Sequence, residues 1–167
     1  GESAYSLQMG TFHSVFSRIL RREASLIGYD SNFTIYDEAD SRSLCKNIVK
    51  TLGLDDKIYK PAEVHNRISM AKNKLILPAQ YAENTNIMVR DRQSNMDRMP
   101  AIYSMYVDNC RKSNAMDFDD LLVYTFRLFH DNPEVRDKYR ERYRFVLVDE
   151  YQDTNYVQQQ IVWQLTG

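Results

Sequence analysis

One short stretch, RFVLVDEYQDTN at residues 144–155, limits the possible fold more than any other part of the chain. Its continuous apolar run, residues 145–148, is typical of a central parallel strand that is covered on both faces. Asp149 and Glu150 follow directly. Because ligand sites in open parallel sheets lie at the carboxyl ends of strands, the stretch predicts a buried strand that ends at an acidic site.

The N-terminal part predicts a second strand and two helices. Residues 5–11, YSLQMGT, partly alternate between polar and apolar and predict a short strand. Thr11 can cap the helix that follows, and Gly28 lies near the predicted end of that helix. After a short extended segment, FTIYD, Asp37 caps a helix that Gly53 ends. The apolar residues at helical spacing in these two helices are Phe12, Val15, Phe16, Ile19, Leu20, Leu44, Ile48, Val49 and Leu52.

Local signals predict helices through most of the remaining chain, while the polar residues 84–99 give no clear pattern. Proline at a first turn and Asp or Asn before an apolar run mark helix starts. The predicted starts are Pro61, residue 79, Pro100, Asp117 and Asn132-Pro133. In the helix that begins after Asp117, the predicted packed face comprises Phe118, Leu121, Leu122, Thr125 and Phe129.

The predicted fold is mainly α with a small α/β portion. Both predicted strands run directly into helices, and the helical stretch between them is longer than a normal crossover between parallel strands. The two ends of the chain are therefore expected to belong to one α/β sheet, with a helical insertion between them. The predicted domains are residues 1–24, residues 25–130 as the insertion, and residues 131–167 as the return to the sheet.

Composition narrows the class of protein. The chain has 167 residues, 43% of them hydrophobic, and a formal net charge of −1, so nucleic-acid contacts would have to come from local basic patches. Cys45 and Cys110 lie far apart, which argues against a zinc ribbon or a disulfide framework. No apolar run approaches the roughly 18 residues that span a bilayer, and no signal peptide is recognisable. We therefore expect a cytoplasmic protein without membrane contact.

The acidic residues after the predicted strand suit metal chemistry. Asp149 can hold Mg²⁺ through water, and Glu150 can orient or deprotonate an attacking water. The plainer interpretation is that these acids cap the following helix, which carries Val157, Ile161 and Leu165. None of the five glycines is followed by Lys-Ser or Lys-Thr, so the sequence contains no phosphate-cradling P-loop.

The full string is more specific than a pair of acids. VLVDEYQDTN resembles the Walker B segment of the UvrD/Rep-like superfamily 1 DNA helicases, whose pattern there is D-E-[FY]-Q-D-T-N after an apolar strand. MGTFHSVFSRILRREA at residues 9–24 looks like motif Ib of that family, and MDFDDLL at residues 116–122 looks like the acidic segment that ends its helical insertion. The resemblance implies part of a RecA-like P-loop NTPase motor domain, at residues 1–24 and 131–167, with a helical subdomain inserted in it.

The resemblance also implies a nucleotide site. By similarity, Asp149 would bind Mg²⁺ on the ATP phosphates, and Glu150 would activate the hydrolytic water. Gln152 and Asp153 would connect this site to neighbouring motifs. ATP and Mg²⁺ are therefore the expected cofactors of the complete protein.

Contacts to single-stranded DNA are implied for the motif Ib segment. Thr11, His13 and Ser14 match the stretch that lines the DNA path in the family, where hydroxyls and an imidazole can donate to phosphate. The alternative is that Thr11 caps a helix and His13 is a satisfied surface histidine. Phe12 is assigned to the core and not to a stacking platform.

Contacts to duplex DNA are implied for two lysines. Lys72 and Lys74 match a turn of the family's inserted subdomain that faces duplex DNA, and lysines near a loop suit phosphate contacts. A solvated helix end is the alternative for both. The basic run at residues 136–144 also contains acids and regularly spaced tyrosines, which favours a packed amphipathic helix.

The function implied by the resemblance is that of an ATP-dependent 3′-to-5′ DNA helicase of the bacterial cytosol, as used in repair and replication restart. The Walker A loop, the arginine finger and the second motor domain do not occur in this sequence, so the chain alone is expected to be inactive. Two other classes stay open. One is a free-standing DNA-binding helical module without ATPase activity, and the other is a helical structural domain whose acids only cap a helix.

Overall fold

A computed structural model describes the backbone of residues 2–149 and 155–167 and the side chains of residues 12–143 and 155–167. These parts are mainly helical, as predicted, with one pair of short strands. The helices are α1 (Glu2–Arg22), α2 (Glu38–Thr51), α3 (Pro61–Asn73), α4 (Pro78–Glu83), α5 (Thr85–Gln93), α6 (Met99–Lys112), α7 (Phe118–Asp131), α8 (Pro133–Asp149) and α9 (Tyr156–Thr166). The strands are β1 (Thr34–Tyr36) and β2 (Ala115–Asp117). None of the described helices is long and apolar enough to cross a membrane.

Contacts divide the chain into two compact units. The discontinuous unit comprises Gly1–Phe33 and Phe118–Gly167, and the inserted unit comprises Thr34–Asp117. The chain therefore leaves one unit after Phe33 and re-enters it at Phe118. That these units correspond to a motor domain and its helical insertion stays a prediction.

The discontinuous unit is held together by the apolar face of α1. Phe12, Phe16 and Ile19 are almost fully buried, and the rings of the two phenylalanines lie 5.8 Å apart. α1 packs against α7, and both α7 and α8 pack against α9. Burying a large apolar side chain this completely contributes about 1.5–3 kcal/mol relative to leaving it exposed. The assignment of Phe12 to the core is confirmed.

Polar contacts fix the ends of helices in this unit. Glu23 accepts hydrogen bonds from the Tyr139 hydroxyl at 2.8 Å and from the Lys138 ammonium at 3.0 Å, which ties α8 to the end of α1. Asn155 begins α9 with a capping box: its side chain accepts from the Gln158 backbone N–H at 2.9 Å, and the Gln158 side chain accepts from the Asn155 N–H at 3.3 Å. Satisfying these otherwise unpaired donors sets where α9 starts.

The inserted unit begins α2 as the sequence predicts. The Asp37 side chain accepts from the Asp40 N–H at 2.8 Å, while the Asp40 carboxylate accepts from the Asp37 N–H at 3.1 Å. Gly53 follows α2 with a φ of +68°, a left-handed conformation that glycine adopts at low cost. The core behind α2 includes Ile48, Ile68, Tyr81, Tyr103 and Tyr106.

β1 and β2 form a parallel two-stranded ribbon. Thr34 lies opposite Ala115, and Tyr36 lies opposite Asp117. The extended FTIYD segment is therefore confirmed, whereas the sequence did not predict the extended residues of β2. The ribbon joins the first and last residues of the inserted unit.

The two predicted terminal strands are wrong. Residues 5–11 lie within α1, and residues 145–148 lie within α8. Among the described residues no strand runs beside either segment, so an extended backbone there would leave its N–H and C=O groups unpaired. A helix pairs these groups within the segment itself. Thr11 is consequently inside α1 and does not cap it.

Residues 84–99, which gave no clear pattern, contain the helix α5. Asn84 caps it, because its side-chain Oδ1 accepts from the Ile87 N–H at 2.9 Å. The preceding helix α4 confirms the short helix predicted near residue 79. The helix α5 was not predicted because its sequence is mostly polar and has no long apolar stripe with a helical period.

Candidate nucleic-acid interface

The outward side of α1 carries residues predicted to contact DNA. Phe12 and Phe16 are buried, while Ser14 and Arg18 are exposed one turn apart. The Arg18 Nε donates to the Ser14 backbone carbonyl at 3.4 Å. His13 lies next to this pair and is partly buried. The Ser14 hydroxyl, the Arg18 guanidinium and the His13 imidazole are donors that suit phosphate oxygens.

His13 is set against an aromatic ring. Its imidazole stacks on Phe118, with ring centres 5.6 Å apart and an angle of 28° between the planes. Burial lowers the pKa of His13 below its ordinary value of 6.5. The side chain is therefore neutral at pH 7, where it can donate one N–H without adding charge.

Phe118 is a candidate site residue that the sequence did not predict. Its spacing from Leu122 and Thr125 predicts a packed residue, but its side chain is 44% exposed while those two are buried. Phe118 is the first residue of α7. Helical spacing gives no signal for such an exposed ring, because the same spacing describes the buried face.

Lys72 corrects the expectation of a lysine that faces DNA. Its ammonium lies 2.8 Å from Asp117 Oδ2, and the two side chains are 3% and 2% exposed. The same ammonium is 4.7 Å from the centre of the Tyr106 ring. Neither a phosphate contact nor a solvated helix end describes this position. In this structure Lys72 is one half of a buried ion pair.

A polar cluster surrounds that pair inside the inserted unit. The Tyr106 hydroxyl donates to Asp117 Oδ2 at 2.7 Å, and burial raises the pKa of Tyr106. Burial likewise raises the pKa of the nearby Cys45 thiol to about 12. These groups are held in their uncharged forms beside the ion pair, which favours a structural role for the cluster.

Lys74 differs from Lys72 although only one residue separates them. It follows α3, is exposed, and lines a cavity together with Arg67 and Arg90. No partner of its ammonium is recorded among the described residues. Of the two predicted lysines, Lys74 alone presents its charge to solvent.

The residues of the predicted nucleotide site lie largely outside the described part of the chain. Asp149 is the last residue of α8, and its side chain lies outside the described residues. Glu150, Gln152 and Asp153 lie outside the described backbone as well. The role of capping the next helix, which was the plainer interpretation of the acids, belongs to Asn155 in the structure.

The order of the segments defines the class of protein. A mainly helical chain with the TFHS and DEYQDT motifs on either side of an inserted helical unit is a UvrD-like superfamily 1 helicase region. The family model of the UvrD/REP helicase N-terminal domain matches residues 1–167, and the chain belongs to this family.

Curated relatives carry consistent names. The chain is 43% identical over 168 residues to the ATP-dependent DNA helicase UvrD1 of Mycobacterium tuberculosis, covering 100% of this chain and 21% of that protein. It is 39% identical over 162 residues to the ATP-dependent DNA helicase PcrA of Staphylococcus aureus, covering 97% of this chain and 21% of that protein. The chain thus spans about a fifth of the length of these relatives.

Proposed function

We propose that the chain is part of an ATP-dependent DNA helicase and supplies one wall of its path for single-stranded DNA. The supporting observation is that His13 of α1 stacks on the 44% exposed ring of Phe118, while Ser14 and Arg18 are exposed on the same helix. Family membership and the names of the relatives, which are ATP-dependent DNA helicases, support the helicase assignment. A 3′-to-5′ direction and a place in the bacterial cytosol rest on the resemblance alone.

The geometry suits a strand that lies along α1. Phe118 offers a ring face on which a base can stack, a contact that tolerates any base. The Ser14 hydroxyl and the His13 N–H can donate to phosphate oxygens, and Arg18 adds a positive charge. Thr11 belongs to the same proposal because of the resemblance.

ATP and Mg²⁺ belong to the proposal for the complete protein. The carboxylates of Asp149 and Glu150 are hard oxygen donors of the kind that Mg²⁺ takes, so the donor types fit the ion. Asp149 is proposed to hold the ion, Glu150 to orient and deprotonate a water, and Gln152 and Asp153 to connect the site to neighbouring motifs. When bound, ATP would supply the free energy for stepping along DNA. The sequence has no P-loop, so this chain alone is proposed not to hydrolyse ATP.

The first test is fluorescence anisotropy of the 167-residue chain on a labelled single-stranded oligonucleotide. Phe118→Ala is expected to weaken binding by roughly tenfold, since stacking one base contributes about 1–3 kcal/mol. Trp163→Ala is the matched control, because Trp163 is 57% exposed in the same unit but lies in α9. Equal losses in both variants would contradict a specific stacking role for Phe118.

A salt series distinguishes the charged donor Arg18 from the neutral donor His13. Arg18→Gln should lower the slope of log affinity against log salt by about 0.7, because one phosphate-neutralising charge is lost. His13→Ala should weaken binding without changing that slope, because the imidazole is neutral. No binding of the unaltered chain at low salt would refute the DNA path and would favour a structural helical domain.

A further inference from the structure

The inserted unit contains a cavity that the proposed DNA path does not use. Its volume is about 210 Å³, and three cationic side chains, Arg67, Lys74 and Arg90, line it. Apolar side chains, among them Met70 and Ile87, form another part of its wall. The cavity therefore combines a positive wall with an apolar one.

Three hydrogen-bond donors at this cavity have no recorded acceptor among the described residues. The Arg90 Nε is buried without a partner. Lys74 is exposed, and no acceptor of its ammonium is recorded. Asn84 uses its Oδ1 to cap α5, which leaves its Nδ2 as a donor. A buried donor without an acceptor is costly, so a ligand oxygen at this place would be favourable.

The nearby carboxylates are already engaged. Asp91 is 2% exposed and accepts hydrogen bonds from Arg67 and from the Tyr81 hydroxyl, both at 2.5 Å. Its Oδ1 also pairs with the Arg90 Nη2 at 3.3 Å, so of the buried nitrogen atoms of Arg90 only the Nε is left without an acceptor among the described residues. Burial and the hydrogen bond to Asp91 raise the pKa of Tyr81, so its hydroxyl stays a donor. Glu63 also binds Arg67, at 2.8 Å. Asp91 therefore pairs with both arginines, and Glu63 pairs with Arg67. These two negative charges do not balance the three cations of the cavity, which leaves one positive charge uncompensated.

We propose that this cavity is a binding site for a phosphate group, held by Lys74, Arg90 and the Asn84 amide. A phosphate offers at least three acceptor oxygens, which matches three separate donors better than the two oxygens of a carboxylate do. The apolar wall would take the carbon skeleton next to the phosphate. The ligand is a free phosphate compound or the backbone of DNA. In the second case the inference rests on the proposed function, and the site would be the duplex-DNA contact that the resemblance implies for Lys74.

The direct test is an NMR titration of the ¹⁵N-labelled chain with inorganic phosphate, following the arginine Nε–Hε signals. The Arg90 signal is identified by its loss in Arg90→Gln. It is expected to shift saturably with phosphate, and Lys74→Gln should weaken this response roughly tenfold. The control Lys57→Gln/Lys60→Gln removes two exposed charges of the same unit that do not line the cavity. It should leave the response unchanged.

A second titration with a short DNA duplex identifies the source of the phosphate. A shift of the Arg90 signal with both ligands, or with only one of them, supports the site and names its ligand. An Arg90 signal that moves with neither ligand overturns the proposal. So does an equal phosphate response in Lys74→Gln and the unaltered chain, once urea unfolding shows that both are folded.

DNA-binding measurements also distinguish the failure of this proposal from the failure of the proposed function. If the site takes DNA, Lys74→Gln/Arg90→Gln should lower the salt slope of duplex binding by about 1 relative to the lysine control. If the salt slope of duplex binding is unchanged but the Arg90 signal shifts with inorganic phosphate, the site binds free phosphate compounds and not DNA. If the chain binds no DNA at all, the proposed function fails. The phosphate titration then still shows whether the cavity binds a phosphate group.

Discussion

Lys72→Met should strongly destabilise the inserted unit. The substitution keeps the length of the side chain but removes the ammonium that lies 2.8 Å from Asp117 Oδ2. Removing one partner of a buried ion pair costs about 3–5 kcal/mol, because the remaining charge is left without compensation. Asp117 keeps the hydrogen bond from the Tyr106 hydroxyl at 2.7 Å. We therefore expect the lower end of the range, about 3 kcal/mol.

Urea unfolding followed by far-UV circular dichroism measures this loss. Lys74→Met is the matched control, since it removes an exposed lysine nearby and should change the free energy of unfolding by less than about 0.5 kcal/mol. Lys72→Met/Asp117→Asn should recover part of the loss, because no lone charge stays buried. In a thermal scan, a loss of about 3 kcal/mol corresponds to a Tm lower by roughly 6–12 °C.

Two outcomes would refute this reasoning. Unchanged stability in Lys72→Met would mean that the buried pair does not hold the unit together. If that variant also lost duplex binding, Lys72 would contact phosphate, as the sequence alone predicts. A double variant no more stable than Lys72→Met would show that the lone carboxylate is not the cause of the loss.

Three further predictions concern single side chains. Cys45 is buried and the pKa of its thiol is raised to about 12, so a thiol reagent at pH 8 should label it only after denaturation; fast labelling of the folded chain would contradict its burial. Burial lowers the pKa of His13 below 6.5, so on acidification the imidazole of the unfolded chain is protonated before that of the folded chain. The contribution of His13 to the free energy of unfolding is therefore complete above pH 6.5 and decreases as the pH falls below this value. The difference in unfolding free energy between the unaltered chain and His13→Gln should therefore decline from pH 7.5 to pH 5, and a constant difference would contradict the shift. Asn155→Ala removes the cap of α9 and should cost about 1 kcal/mol in urea unfolding, whereas Asn155→Asp should cost much less.

Local chemistry made most helices of the inserted unit predictable. The signals at Asp37, Gly53 and Pro61 act within a few residues of the backbone that they control, so one sequence is enough to read them. The two predicted terminal strands were wrong for the opposite reason. A strand needs a neighbour that the segment cannot supply, whereas a helix is complete by itself.

The candidate site was only partly predictable. His13 and Ser14 came from a resemblance of motifs. The structure adds Arg18 one turn from Ser14 and the exposed ring of Phe118 beside His13. The pairing of Lys72 with Asp117 joins residues 45 positions apart, and no local pattern reports such a contact. The roles of Asp149, Glu150, Gln152 and Asp153 stay predictions, because their side chains lie outside the described residues.

The β1–β2 ribbon brings the two ends of the inserted unit together. A parallel pair of three residues is roughly 10 Å long at about 3.3 Å per residue, so Thr34 and Asp117 lie close together although 82 residues separate them. Residues can be gained or lost in the loops between them at small entropic cost without moving the entry and exit points of the chain. Residues 34–117 could be excised as a polypeptide whose two ends are already paired. Loops of different lengths can therefore be accommodated within residues 34–117 while the first and last strands of the unit stay paired.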